Sequence, residues 1–192
     1  MKAYKMTAYP KEVAVRDGKN ITVRPLTAAD RDALARFFLG LPAEDRYFLK
    51  DDVTSPRVID SWTANIDFDR VLPLVACAGG EIVAEAVLLR RRHGAYSGVG
   101  SVRVSVAKEH RGQGVGTALI RELCDIAADA GMEKIAAEFV AEAHSDAIDA
   151  AERLGFIRSA VVHELLRDER GRPHDVVLLV LPLGKWYEWA QF

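Results

Sequence analysis

The chain has 192 residues, of which 49% are hydrophobic and 28% charged, so it is long enough to bury the core of one globular domain. Its formal net charge of -2 gives no overall reason to expect nucleic acid or an anionic membrane as a partner. No apolar run is long enough to span a bilayer, and Cys77 and Cys124 have apolar neighbours, which suits reduced, buried thiols. We therefore expect a cytoplasmic protein with one domain over 1–192, either a monomer or a homodimer.

The N-terminal third predicts a hairpin followed by short helices. Strands over 12–15 and 21–24 flank the turn pair Asp17-Gly18, which makes an extra hairpin of about 12–24. Thr27 to Asp30 has the form of a capping box ahead of a first helix. Ser55 and Pro56 have the form of an N-cap and first residue of a later short helix.

The rest of the chain predicts a sheet with one crossover. Gly79-Gly80 supplies the positive φ angles of a two-residue hairpin between strands 72–78 and 81–90. Val102, Val104 and Val106 alternate with polar residues, which predicts a strand that leads into a glycine loop and a helix ending near Gly131. Strand 135–140 follows this crossover and should lie parallel to that strand. A helix closing at Gly155, a hairpin of 160–166 with 176–181 and an aromatic tail at about 184–192 complete the chain.

The loop Arg111-Gly112-Gln113-Gly114-Val115-Gly116 lies between a predicted strand and a predicted helix. Loops of this kind bind phosphates, because glycine lets the backbone approach closely and the helix N-terminus favours negative charge. A Walker P-loop is excluded because Gly116 is followed by Thr117 and Ala118 rather than by lysine. A dinucleotide fingerprint is disfavoured because Thr117 occupies its last glycine position. A tight turn without a ligand stays as the simpler alternative, although three alternating glycines exceed what one turn needs.

The loop matches the Q/R-x-x-G-x-G/A pattern of the GNAT superfamily of N-acyltransferases. Ala147-Ile148 through Leu154-Gly155-Phe156 resembles the closing N-x-x-A-I-x-L-Y-x-x-x-G-F stretch of that family, in the same order and at similar spacing. The resemblance implies an α/β (α+β) fold with a mostly antiparallel central sheet of about seven strands, a splayed central strand pair and helices on both faces. Arg24-Pro25-Leu26 and the segment 41–48 also resemble the acetyltransferase domain of bacterial protein-lysine acetyltransferases.

The resemblance implies that acetyl-CoA is the cosubstrate. The loop backbone would hold the pyrophosphate, the strand before it would pair with the pantetheine arm, and an N–H near Val106 would polarise the thioester carbonyl. His144 stands where the family has asparagine, and its ring could also form a hydrogen bond. The cofactor-binding residues implied in this way are Val104, Ser105, Val106, Arg111, Gly112, Gln113, Gly114, Val115, Gly116, Thr117 and His144.

The catalytic residues of the family do not carry over. Ala151 replaces the tyrosine that often protonates the leaving thiolate, so another group or solvent must serve. Two glutamates interrupt apolar strands, and either is a candidate general base; Glu138 ranks slightly ahead of Glu85 because it lies beyond the expected splay. For each, a solvated or ion-paired carboxylate is the simpler alternative.

The expected activity is N-acetylation of a primary amine by direct attack in a ternary complex. The acceptor stays open between a protein lysine and a small-molecule amine such as a polyamine, an amino acid or an aminoglycoside. A non-catalytic domain that binds or senses acyl-CoA is the alternative, because the cofactor loop is intact while the usual catalytic residues are missing. The five histidines lack metal-binding spacing, so no metal is predicted.

Overall fold

A computed structural model describes residue 6 and residues 8–183. The predicted aromatic tail at 184–192 lies outside them. The strands are β1 (Lys11–Ala14), β2 (Asn20–Pro25), β3 (Val71–Ala78), β4 (Glu81–Arg90), β5 (Val99–Val106), β6 (Lys134–Val140), β7 (Ile157–Arg167) and β8 (Pro173–Pro182). The helices are α1 (Arg31–Gly40), α2 (Ala43–Tyr47), α3 (Pro56–Ala64), α4 (Val115–Asp129) and α5 (Ser145–Arg153).

The eight strands form one sheet in the order β1-β2-β3-β4-β5-β6-β8-β7. Every neighbouring pair is antiparallel except β5 with β6, which are parallel and joined through α4. This arrangement confirms the mostly antiparallel mixed sheet and the single crossover. The sheet has eight strands rather than about seven, with β1 of the N-terminal hairpin at one edge.

The turn and cap residues occupy the positions that their chemistry predicts. Gly79 and Gly80 have φ of 58° and 84° at the β3–β4 hairpin. The capping box is present: the Thr27 side chain accepts from the backbone of Asp30, and the Asp30 carboxylate accepts from the backbone N–H of Thr27. Pro56 is the first residue of α3. The final hairpin shows the largest boundary differences: β7 begins three residues before the predicted Ala160, directly after the Gly155-Phe156 stop of α5, and β8 begins three residues before the predicted Val176.

The two faces of the sheet carry different layers. On one face, buried residues of α4 pack against alternate residues of β3, β4 and β5, such as Leu74, Ala86 and Val102. On the other face, α1 and α3 pack through Leu34, Phe38 and Ile59. Because strand side chains alternate between faces, the odd-numbered residues of β4 from Glu85 onward, and those of β5, point toward α1 and α3. No helix within residues 8–183 is long and apolar enough to cross a membrane.

The parallel strands β5 and β6 separate at the middle of the sheet. Only Val99–Ser101 of β5 pairs with Lys134–Ala136 of β6, although β5 continues to Val106 and β6 to Val140. The sequence expectation of a splayed central pair is therefore confirmed. The last five residues of β5 have no strand partner on this side, and the opening lies directly before the glycine loop.

Candidate active site

The glycine loop presents a row of free backbone donors at the start of α4. Gly112 and Gly114 have φ of 71° and 86°, a region that side chains disfavour, and Gly114 is the N-cap of the helix. Within the described chain, no hydrogen-bond acceptor lies against the N–H groups from Gly112 to Thr117, whereas Ala118 N–H already donates to Gly114 O at 2.9 Å. Free N–H groups at a helix N-terminus form an anion site.

Gly116 has a different role, because it lets α4 lie close to β5. A Cβ atom at this position would lie 3.1 Å from Cγ2 of Val106 and 3.5 Å from Cγ2 of Val104. The helix N-terminus is thereby held against the unpaired end of β5. Gly112 and Gly114 thus allow the backbone to turn, whereas Gly116 allows α4 to contact β5 closely.

Arg16 joins this loop from the N-terminal hairpin, a contact that the sequence did not reveal. Its backbone N–H donates to Gln113 O at 2.9 Å, and its Nη1 donates to Gly112 O at 3.2 Å. Because Arg16 donates to these two carbonyl groups, it holds the loop with its N–H groups pointing away from the hairpin. Arg16 and Gly112 are 96 positions apart, so only the folded sheet shows that they meet.

Arg111 bridges the end of the splay to the helix layer. Its Nε donates to Val106 O at 3.0 Å, and its Nη2 lies 2.6 Å from Oδ2 of Asp45 in α2. These contacts order the junction between β5 and the loop.

The backbone of β5 offers hydrogen-bonding groups to the opening. Ala107 N–H donates to Val83 O at 2.9 Å, and the alternation of an antiparallel ladder then turns the backbone groups of Ser105 and Arg103 toward β4. The backbone groups of Val104 and Val106 face the splay instead. Ser105 lies between them, and its side chain lines a cavity on the opposite face from α4.

A cavity of about 280 Å³ lies between the helix layer and the sheet. Its floor includes Glu85, Val87 and Leu89 of β4 with Arg103 and Ser105 of β5. Its walls come from the helices and their connections, and most of them are apolar. The wall residues are Leu26, Phe38, Leu49, Asp51, Ser61, Trp62, Asn65 and Ile66.

Glu85 stands on the floor of the cavity, directly opposite Ser105 in the β4–β5 register. Burial raises the pKa of its carboxyl from 4.5 to about 7, and the positive charge of Arg103 opposes the rise. A carboxyl group with this pKa is available as a proton acceptor near neutral pH. The apolar strand around Glu85 already indicated this environment in the sequence, but not the cavity.

Glu138 lies in a different environment. Its carboxylate is 2.8 Å from Nζ of Lys50, and its side chain is 50% exposed. It is opposite Leu178 in the β6–β8 register, on the far side of the splay from β4. Among the two predicted carboxylates, only Glu85 lines the cavity.

His144 is the N-cap residue of α5 and lies beside the end of β6. Val140 N–H donates to its Nδ1 at 3.1 Å, so the neutral ring carries its proton on Nε2. Burial lowers the pKa of His144, and Arg111 lowers it further, while Asp45 opposes both. The ring is therefore a neutral hydrogen-bond donor. Ala151, where the family has tyrosine, is 7% exposed and packs in the core.

Comparison with known proteins agrees with this geometry. The profile of the acetyltransferase (GNAT) family matches residues 37–156, which include the loop and both neighbouring strands. The fold also matches the crystal structure of the GNAT domain of S. lividans PAT, with a TM-score of 0.76 and 26% identity over 92% of this chain and 98% of that chain. The chain therefore belongs to the GNAT family and is an acetyltransferase of the class that uses acetyl-CoA.

Two further solved structures share the fold at lower identity. A phosphinothricin acetyltransferase from Sinorhizobium meliloti, in complex with AcCoA, has a TM-score of 0.73 and 22% identity over 86% of this chain and 89% of that chain. A ribosomal-protein-alanine N-acetyltransferase from Brucella melitensis has a TM-score of 0.71 and 22% identity over 83% of this chain and 98% of that chain. No curated protein matches the chain in sequence.

Proposed function

We propose that this protein transfers the acetyl group of acetyl-CoA to a primary amine bound in the cavity above Glu85. One observation carries the proposal: β5 borders the splay with its backbone and lines the cavity with Ser105. A cofactor arm along that strand and an amine above it would meet at β5.

The residues around the splay fit the cosubstrate. The free N–H groups from Gly112 to Thr117 suit a pyrophosphate, and the outward backbone of Val104 and Val106 suits the amides of pantetheine. Nε2 of His144 is a donor for a carbonyl of the same arm. Bound acetyl-CoA supplies a thioester whose acetyl carbon accepts a nucleophile.

Glu85 prepares the amine. An amine attacks only when it is neutral, and transfer forms an N–C bond as the C–S bond breaks. The proton that the nitrogen loses passes to the Glu85 carboxylate, directly or through a water, and the leaving sulfur takes a proton from solvent. The pKa near 7 lets this carboxyl accept a proton and return it to solvent at neutral pH.

Thiol release from acetyl-CoA tests the proposal on a panel of primary amines, amino acids, polyamines, aminoglycosides and lysine peptides. We expect thiol release that depends on the amine, with the N-acetylated product identified by mass spectrometry. Tight coenzyme A binding without turnover on any acceptor would instead indicate a domain that only binds or senses acyl-CoA.

A further inference from the structure

The cavity contains a cation that lacks a hydrogen-bonded counterion. Nε of Arg103 is shielded from solvent and has no hydrogen-bond partner within the described chain. The carboxylate of Asp51 lies 3.7 Å from Nη1, too far for a hydrogen bond, and its side chain is 46% exposed, where water competes for it. Donors left without partners cost free energy that an anionic ligand relieves.

Arg103 and Glu85 are held at a defined spacing on the cavity floor. Glu85 is opposite Ser105 and Arg103 is opposite Val87, so the two charged residues are diagonal neighbours on the same face. Cα atoms at such positions are roughly 7–8 Å apart. A ligand that places an amine at one residue and an anion at the other must therefore carry the two groups only a few bonds apart.

The rest of the cavity suits an apolar body. Phe38, Trp62 and Ile66 of the helix layer face Val87 and Leu89 across it. Its volume of about 280 Å³ is just below the range of roughly 300–1,000 Å³ that is usual for small-molecule sites. The cavity thus suits a small acceptor with an apolar side chain.

We infer that the acceptor is a small amino acid with an apolar side chain, whose carboxylate binds Arg103 while its amine lies above Glu85. This inference rests on the proposed acetyl transfer and specifies its acceptor. The side chain of a protein lysine has no carboxylate near its amine, and Arg103 repels its ammonium group.

Matched acceptors that differ only in the carboxylate test the inference. Phenylalanine is compared with 2-phenylethylamine, and leucine with 3-methylbutylamine, by thiol release with the full chain and acetyl-CoA. We expect kcat/KM to be roughly 10- to 100-fold higher for each acid, the effect of one charge-assisted hydrogen bond.

Substitution of Arg103 provides the second comparison. With both acceptors measured at a pH above the pKa of Glu85, which loss of the Arg103 charge raises further, Arg103→Met should raise KM for phenylalanine roughly 10- to 100-fold more than KM for 2-phenylethylamine. Arg103→Lys should restore part of the loss. Retained activity on the amine shows that the variant folds. For each acceptor, the wild-type KM is divided by the KM of the variant, and this ratio cancels the difference in basicity between the two acceptors.

The outcomes separate this inference from the proposed function. Acetylation of 2-phenylethylamine or a lysine peptide in preference to the acids, unchanged by Arg103→Met, overturns the inference and leaves acetyl transfer in place. If no amine is acetylated, the proposed transfer fails, and calorimetry with N-acetylphenylalanine and coenzyme A tests the carboxylate site by itself. If N-acetylphenylalanine binds and Arg103→Met weakens that binding, the carboxylate site is supported although the transfer fails. If N-acetylphenylalanine and N-acetyl-2-phenylethylamine bind equally well, the carboxylate site is overturned.

Discussion

The glycine loop and the cavity are the two halves of the proposed site, and they are built differently. The loop is continuous in sequence and acts through its backbone, so glycines at 112, 114 and 116 suffice to shape it. The cavity acts through side chains from the first helices, from β4 and from β5. The contrast predicts that changes in the cavity affect the amine step, whereas changes in the loop affect coenzyme A.

The largest effect should come from Glu85→Gln. Loss of the proposed base should lower kcat/KM by about 10²- to 10⁴-fold. The wild-type profile should rise through the pKa of about 7, because activity requires the ionised carboxylate. The variant should lack that rise and keep only the limb that belongs to the amine, which a pH series of kcat/KM detects.

Glu138→Gln is the matched control for this substitution. It removes a half-exposed ion pair with Lys50, which contributes little. We expect less than about a threefold change in kcat/KM, the usual scale of a surface pair. A large loss with Glu138→Gln and none with Glu85→Gln would indicate that Glu138 of β6, and not Glu85, is the general base.

Gly112→Glu tests the loop, and Gly171→Glu is its control. Both glycines have positive φ, 71° and 75°, and neither has a neighbour within 4 Å of an added Cβ, so the backbone strain is matched. Each should cost about 1–2 kcal/mol of stability. Only Gly112→Glu places a carboxylate among the anion-binding N–H groups, and calorimetry should show coenzyme A affinity reduced about 10-fold or more.

Arg16→Ala should have a smaller effect on the same half of the site. Without its Nη1 contact to Gly112 O, the loop should be less well ordered, and KM for acetyl-CoA should rise a few-fold while KM for the amine stays the same. Lys19→Ala, an exposed change in the same hairpin, should leave both values unchanged. Equal effects of the two variants would show that the Arg16 contact is dispensable.

Asp30→Asn should affect stability rather than chemistry. Asp30 accepts two hydrogen bonds of 2.7 Å from Arg24 and one from Thr27 N–H, and these hold the helix layer to β2. They lower the pKa of Asp30 from 3.8 to about 2, with Arg24 as the main cause. The stabilisation is therefore complete above the unfolded pKa and is lost as pH falls through about 2.

Denaturant unfolding of Asp30→Asn at neutral pH should show a loss of about 1–3 kcal/mol. Asp60→Asn, which breaks an exposed pair with Arg31, should cost less than about 1 kcal/mol. A comparable loss in the two variants would mean that the hydrogen bonds of Asp30 stabilise the fold no more than an exposed ion pair does.

The same contrast explains what the sequence could predict. The loop, the Gly79-Gly80 turn and the capping box depend on neighbours a few positions away, so their residue types indicate their geometry. Arg16 behind the loop and Arg103 beside Glu85 depend on strand order and register, which no local pattern contains. The sequence indicates Glu85 as an interruption of an apolar strand, but it favours Glu138 slightly because no local pattern contains the position of the cavity.

A structure with coenzyme A and an N-acetylated amine is the most direct test of the proposed site. We predict pyrophosphate oxygens within hydrogen-bond distance of the N–H groups from Gly112 to Thr117. We also predict the acetylated nitrogen in the cavity within direct or water-mediated reach of Glu85. An acceptor bound on the β6 side of the splay, beside Glu138, would contradict the placement of the amine above Glu85.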